Sequence, residues 1–95
     1  MIKLHSKDKL RRLRNDIPMA SVIGDFLGVP SKISEGYFRF LCPKCNEFNT
    51  AVNPTTNLGR CFSCQTNYNC IDIVMIVKKY NFKEAVEFLD NFRKL

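Results

Sequence analysis

The spacing of apolar residues changes character twice along this chain. From about Leu4 to Asn15 charge dominates, and Leu10, Leu13 and Ile17 recur at helical spacing, which predicts a helix with one apolar edge. Asp16 and Pro18 mark a second helix start, and Val22, Ile23, Phe26 and Leu27 supply its core face. Gly28 stops that helix, Pro30 prevents its continuation, and residues 31 to 36 read as a turn. Short runs follow: Tyr37 to Leu41, Thr50 to Val52 and Arg60 to Phe62 predict three strands, with a polar turn over Asn53 to Gly59. The polar stretch Gln65 to Asn69 closes this middle section. Helical spacing then returns. Ile71 to Lys79 is apolar nearly all round, as a buried helix is. Asn81, with Glu84 three residues on, has the form of a capping box for a last helix whose core stripe is Phe82, Val86, Leu89 and Phe92.

Ninety-five residues with 45% hydrophobic and 25% charged side chains make a single globular domain of modest core. The net charge of +6 is unevenly spread. Lys3, Lys7, Lys9, Arg11, Arg12 and Arg14 stand against Asp8 and Asp16, so residues 1 to 16 carry +4 of it. This divides the chain into a basic helical segment, 1–16, and a domain, 17–95. The basic balance permits an acidic partner such as nucleic acid without requiring one, since a solvated basic helix has the same composition. The opening residues lack the apolar core of a signal peptide, and the run Ile71 to Val77 is too short to span a bilayer. Five cysteines leave one outside any disulfide pairing. A reducing cytoplasm and metal ligation are therefore expected, rather than disulfides.

The cysteines carry the chemistry. Cys42 and Cys45 enclose two residues, Cys61 and Cys64 enclose two more, and fifteen separate the pairs. Two intervening residues let one tight turn aim both sulfurs at one point, and its backbone amides offset thiolate charge. Two such turns make a tetrahedral site for one Zn2+. Rubredoxin-like iron sites also use paired turns, but glycine usually follows those pairs closely, whereas Asn46 and Gln65 follow here. A redox dithiol is the third possibility. Four protein ligands leave no open position on the metal, so the zinc is expected to be structural. No P-loop, nucleophile elbow, His-Glu-x-x-His run or close pair of aspartates supports catalysis. The lone histidine, His5, reads as solvated. Cys70 reads as a small buried side chain or as a spare ligand able to replace Cys64. Together these readings predict an α+β fold, a zinc-ribbon-like antiparallel β-sheet flanked by N- and C-terminal helices.

From about Ile17 to Phe92 the chain resembles the N-terminal zinc-binding domain of bacterial and phage DNA primases. The resemblance rests on the helical stretch Ile17 to Leu27 before an aromatic strand, and on Phe40-Leu41-Cys42-Pro43-Lys44-Cys45-Asn46-Glu47. It continues through Val52-Asn53-Pro54, Arg60-Cys61-Phe62-Ser63-Cys64 and Asn69-Cys70-Ile71-Asp72-Ile73-Val74-Met75. The common bacterial pattern has histidine where Cys45 stands; some phage primases use four cysteines. The resemblance implies binding of single-stranded DNA template in replication and primer synthesis. The primase polymerase domain is not within these residues. The chain is therefore expected to be a non-enzymatic accessory domain, excised or free-standing. It would act with a DNA polymerase, a primase catalytic subunit or a replicative helicase, and not at a membrane.

Strand alternation suggests where DNA would lie. If Phe38 and Phe40 point inward, Tyr37 and Arg39 share the outer face. Lys44 and Arg60 extend it, and Lys32 and Phe62 are further candidates. Tyr37, Arg39, Lys44 and Arg60 are expected to offer phosphates their cations and a base the Tyr37 ring. Aromatic residues beside zinc turns also serve simply to cover the metal. The rival function is a zinc-ribbon adaptor that recruits a replication partner without strong DNA binding of its own.

Overall fold

The charged pattern at the start folds as helix α1, Lys7–Asn15, which buries Leu13 completely. It packs against the two C-terminal helices, where Lys9 Nζ meets the carboxylate of Asp90 at 3.2 Å. The computed structural model describes residues 7–93, with the side chains of 92 and 93 excepted. The readings of His5 as solvated and of Phe92 as core therefore lie outside the described residues.

Helix α2 begins as Met19–Ser21 and widens into a π-helical turn, Val22–Phe26, closed by the Leu27 amide on the Val22 carbonyl at 2.9 Å. The expected α-helix is thus locally unwound, and the neighbouring Val22 and Ile23 are both fully buried. Gly28 leaves the helix at φ +64°, as its stop role requires.

Five strands follow, β1 (Ser31–Ser34), β2 (Tyr37–Phe40), β3 (Thr50–Asn53), β4 (Leu58–Cys61) and β5 (Thr66–Tyr68). They form one antiparallel sheet in chain order. Two of them correct the sequence reading. Residues 31 to 34 are a strand rather than a turn; the turn is only Glu35 and Gly36, both at positive φ, which is the geometry of a two-residue hairpin. Its strand was hidden because β1 buries nothing strongly apolar, and Ile33 is 78% exposed. The polar stretch after Cys64 also contains a strand, β5, in which Tyr68 is the fully buried member.

The register sorts the sheet into two faces. Phe40, Thr50, Val52, Cys61 and Tyr68 point into the core and are all buried. Gly59 makes room for Phe40, whose ring would lie 3.0 Å from any Cβ placed there. Helix α3, Cys70–Lys78, starts from an Asn69–Asp72 capping box and buries Ile71, Ile73 and Val74. Helix α4, Phe82–Arg93, opens with the expected reciprocal bonds between Asn81 and Glu84. Ala85, Val86 and Leu89 face the core, but Phe82 is 46% exposed and does not join the stripe assigned to it. No helix among the described residues is long and apolar enough to cross a membrane.

Asn57, in the turn from β3 to β4, is a polar side chain of the core with several partners. Its carbonyl accepts the Met19 N–H at 2.9 Å, and its amide donates to the carbonyls of Arg14 and Ile17, both at 2.7 Å. One residue thus joins the sheet to the junction of α1 and α2.

Candidate metal centre

Strands β2 and β4 flank β3, both antiparallel to it, and so run in the same direction towards the cysteine pairs, whose turns meet at one end of the sheet. The four sulfurs of Cys42, Cys45, Cys61 and Cys64 all lie within 4.8 Å of one another. Cys42 and Cys64 are 3.8 Å apart, and Cys45 and Cys61 are 3.6 Å apart. A tetrahedron with zinc–sulfur bonds of about 2.3 Å has edges of about 3.8 Å, so the donor set fits one zinc ion. Asn46 and Gln65, the residues after each pair, take φ of 59° and 54°. They thereby reach the left-handed conformation that glycine supplies more cheaply.

The sulfurs are not equivalent. Cys42 and Cys61 are fully buried, whereas Cys45 and Cys64 are partly exposed. Burial opposes charge on Cys42, but the Tyr68 hydroxyl and the amides of Cys45 and Lys44 outweigh it and bring the thiol down to about 6. Cys61 is also lowered: burial opposes, and the Cys64 amide leads the groups that favour the thiolate, at an N···S distance of 3.4 Å. Burial raises Cys45. Sharing with Cys45, then burial, pushes Cys64 up to about 12. The inner sulfurs are thus the ones that favour the thiolate, and the outer ones favour the thiol. A dication replaces the thiol protons and removes the conflict.

Cys70 stands apart. It is fully buried beside Asn57, donates to the Ile17 carbonyl at 3.3 Å, and is pushed up to about 12 by burial, against the Asn57 amide. It packs in the core, outside the sulfur cluster.

On the opposite face of the sheet, cross-strand pairing aligns Lys32, Arg39, Ala51, Arg60 and Asn67 in one row across all five strands. Tyr37, Arg39, Ala51, Arg60, Phe62 and Asn67 are among the residues lining a groove of about 350 Å³. Arg39 lies over the Tyr37 ring at 5.8 Å and is held by the Ser34 carbonyl and the Glu35 carboxylate, each at 3.4 Å. Arg60 donates to the Asn67 side chain at 3.4 Å. Phe62 is 59% exposed, and Lys32 sits over the Phe48 ring at 5.1 Å. The structure thus brings Tyr37, Arg39 and Arg60 together but sets Lys44 elsewhere, over the ring of Tyr68 at 5.8 Å. Asn67 was not singled out from sequence. Its signal is parity with Arg60 across the ladder, which is visible only once β5 is known to be a strand.

A family model described as CHC2 zinc finger matches residues 5–95. The DNA primases of Chlamydia trachomatis serovar D and Chlamydia muridarum are each 29% identical over 87 residues, covering 90% of this chain and 14% of the primase. The DNA primase of Streptomyces coelicolor is 29% identical over 84 residues, 86% of this chain and 13% of that protein. The chain therefore spans about a seventh of the length of these relatives.

Proposed function

The chain belongs to the CHC2 zinc finger family, and from that premise we propose that it binds single-stranded DNA template across the outer face of its sheet, as a non-catalytic partner of a primer-synthesising polymerase or a replicative helicase. The observation that carries this reading is the convergence of Tyr37, Arg39 and Arg60 on one open groove floored by Ala51. Arg39 and Arg60 stand two strands apart, about 10 Å at ordinary sheet spacing, and offer two cationic contacts to the backbone of an extended strand. Tyr37, 50% exposed, and Phe62 offer ring faces for bases, and such stacking contributes about 1–3 kcal/mol per base without demanding a sequence. Zinc acts here at a distance. It fixes the ends of β2 and β4, and so the separation of the two arginines.

Fluorescence anisotropy of a labelled oligonucleotide, titrated with zinc-loaded protein at two salt concentrations and with duplex as competitor, tests the reading. Single strands are expected to bind better than duplex. The double substitution Arg39→Ala, Arg60→Ala should lower affinity by roughly tenfold or more. Unchanged affinity in that variant would remove DNA from this face.

Helix α1 makes a separate contribution. Lys7, Arg11 and Arg14 line one side of it and offer their cations to further phosphates. Deleting the helix would remove the buried Leu13, so the informative change is Lys7→Gln, Arg11→Gln, Arg14→Gln. The slope of log affinity against log salt should flatten by about 0.7 for each phosphate no longer neutralised. A slope equal to the parent's would assign these charges to solubility alone.

The adaptor reading draws on a different observation. Ile33, 78% exposed on the β1–β2 hairpin, borders an apolar hollow with Pro18, Phe38 and Pro54. Absence of DNA binding at micromolar protein, with retention of a replication partner through Ile33, would favour it.

A further inference from the structure

Tyr68 and Thr50 are the two hydroxyl side chains that the sheet buries completely or nearly so on its inner face, at 1% and 0% exposure. Each belongs to one of the two inner sulfurs. The Tyr68 hydroxyl lies 3.4 Å from Cys42 Sγ. Thr50 is the direct cross-strand partner of Cys61, and its buried Oγ1 finds no hydrogen-bond acceptor among the described residues. An orphaned buried hydroxyl is costly unless a group beside it accepts its proton, and a metal-bound thiolate on Cys61 is such a group. Lys44 completes the arrangement, with its ammonium over the Tyr68 ring at 5.8 Å. A cation on the ring face draws electron density from the phenol and strengthens its O–H as a donor.

We propose that Tyr68 and Thr50 are positioning residues for the metal, donating hydrogen bonds to the thiolates of Cys42 and Cys61, and that Lys44 serves Tyr68 in this role rather than serving DNA. Four thiolates give a zinc site a net charge of −2, and two of them are buried; hydroxyl donors offset that charge where water does not reach. Cys45 and Cys64 are partly exposed, and solvent reaches them. The site is thereby graded, with a tightly held inner pair and a more labile outer pair. This inference rests on the zinc reading of the four cysteines, and Lys44 separates it from the DNA reading.

Cobalt(II) substitution provides the test, because the sulfur-to-cobalt charge-transfer band reports electron density on sulfur. A hydrogen bond lowers the sulfur lone pair, so losing it moves the band to longer wavelength. Tyr68→Phe keeps the ring and its Lys44 contact while deleting the donor. It should shift the band to longer wavelength and weaken cobalt and zinc binding roughly tenfold or more, measured by chelator competition. Thr50→Val should act in the same direction, and Thr50→Ser should restore the parent band. Lys44→Gln should give a smaller shift with unchanged affinity for single-stranded DNA. A Tyr68→Phe band that does not move, whether or not affinity falls, overturns the proposal, since packing alone then accounts for the residue. A Lys44→Gln variant that loses DNA and keeps its band overturns the role given to Lys44. A parent chain that takes up no cobalt overturns the metal reading itself, and this inference with it.

Discussion

Chelation of the zinc is expected to unfold the sheet rather than merely loosen it. Domains of this size are stabilised by about 5–15 kcal/mol, and structural zinc in small domains contributes apparent binding energies of about 10–16 kcal/mol at neutral pH. Here the ion replaces the contacts a larger core would make at the end of β2 and β4. Cys42 and Cys61 belong to that core, and without metal their buried sulfurs carry uncompensated charge or competing protons. Circular dichroism should show loss of the cooperative melting transition on chelation and its return with zinc. A sharp transition near the zinc-loaded Tm after complete metal removal would contradict the structural role.

The sign of the pH dependence follows from the same chemistry. Zinc binds thiolates, so protons compete and affinity rises as pH rises. The number of protons released at pH 7 then reports the state of the metal-free chain. A folded apo site, with Cys42 lowered to about 6 and Cys61 lowered as well, would release fewer than four. An unfolded chain, with thiols near their ordinary value of about 8.5, would release about four. Titration calorimetry in buffers of different ionisation enthalpy measures this number, and a value near four is expected.

The second large effect is expected at Asn57. Alanine there deletes the acceptor of the Met19 N–H and the donor to two carbonyls. The Met19 N–H, left without a partner, costs about 1–3 kcal/mol, and each lost bond to a carbonyl about 0.5–1.5 kcal/mol, the Ile17 carbonyl keeping the Cys70 thiol. Asn57 also has φ of 56°, a conformation that costs a residue with a Cβ about 1–2 kcal/mol. Asn57→Ala should therefore destabilise the zinc-loaded protein by about 3–5 kcal/mol in denaturant unfolding. Asn57→Gly should recover about 1 kcal/mol of that by relieving the backbone. Equal losses for the two variants would show that the hydrogen bonds alone matter. A loss below 1 kcal/mol in both would mean that the hub contributes little.

What could be read without coordinates was whatever a local rule encodes. The cysteine spacing forecast the sulfur cluster, the Asn81 and Glu84 pair forecast a capped helix, and alternation put Phe40 inside and Tyr37 outside. What escaped was set by partners distant in sequence. Strand β1 has little apolar content because it lies at the sheet edge, and β5 reveals itself only through the buried Tyr68, whose hydroxyl meets Cys42, distant in sequence. Asn57 looked like any turn residue, since its partners lie about forty residues away. Lys44 follows Pro43 in a metal turn, where spacing alone suggests the outer face. The turn curls it instead onto the Tyr68 ring.

The order of the strands has a consequence for biosynthesis. Every strand pairs with its neighbour in the chain, so the sheet can assemble hairpin by hairpin as it leaves the ribosome. Its metal site is complete once Cys64 has emerged, before α3 has been made. Helix α1, made before the sheet, packs against helices made after it and buries Leu13. The sheet and its ion site can therefore form before α1 meets the helices it packs against.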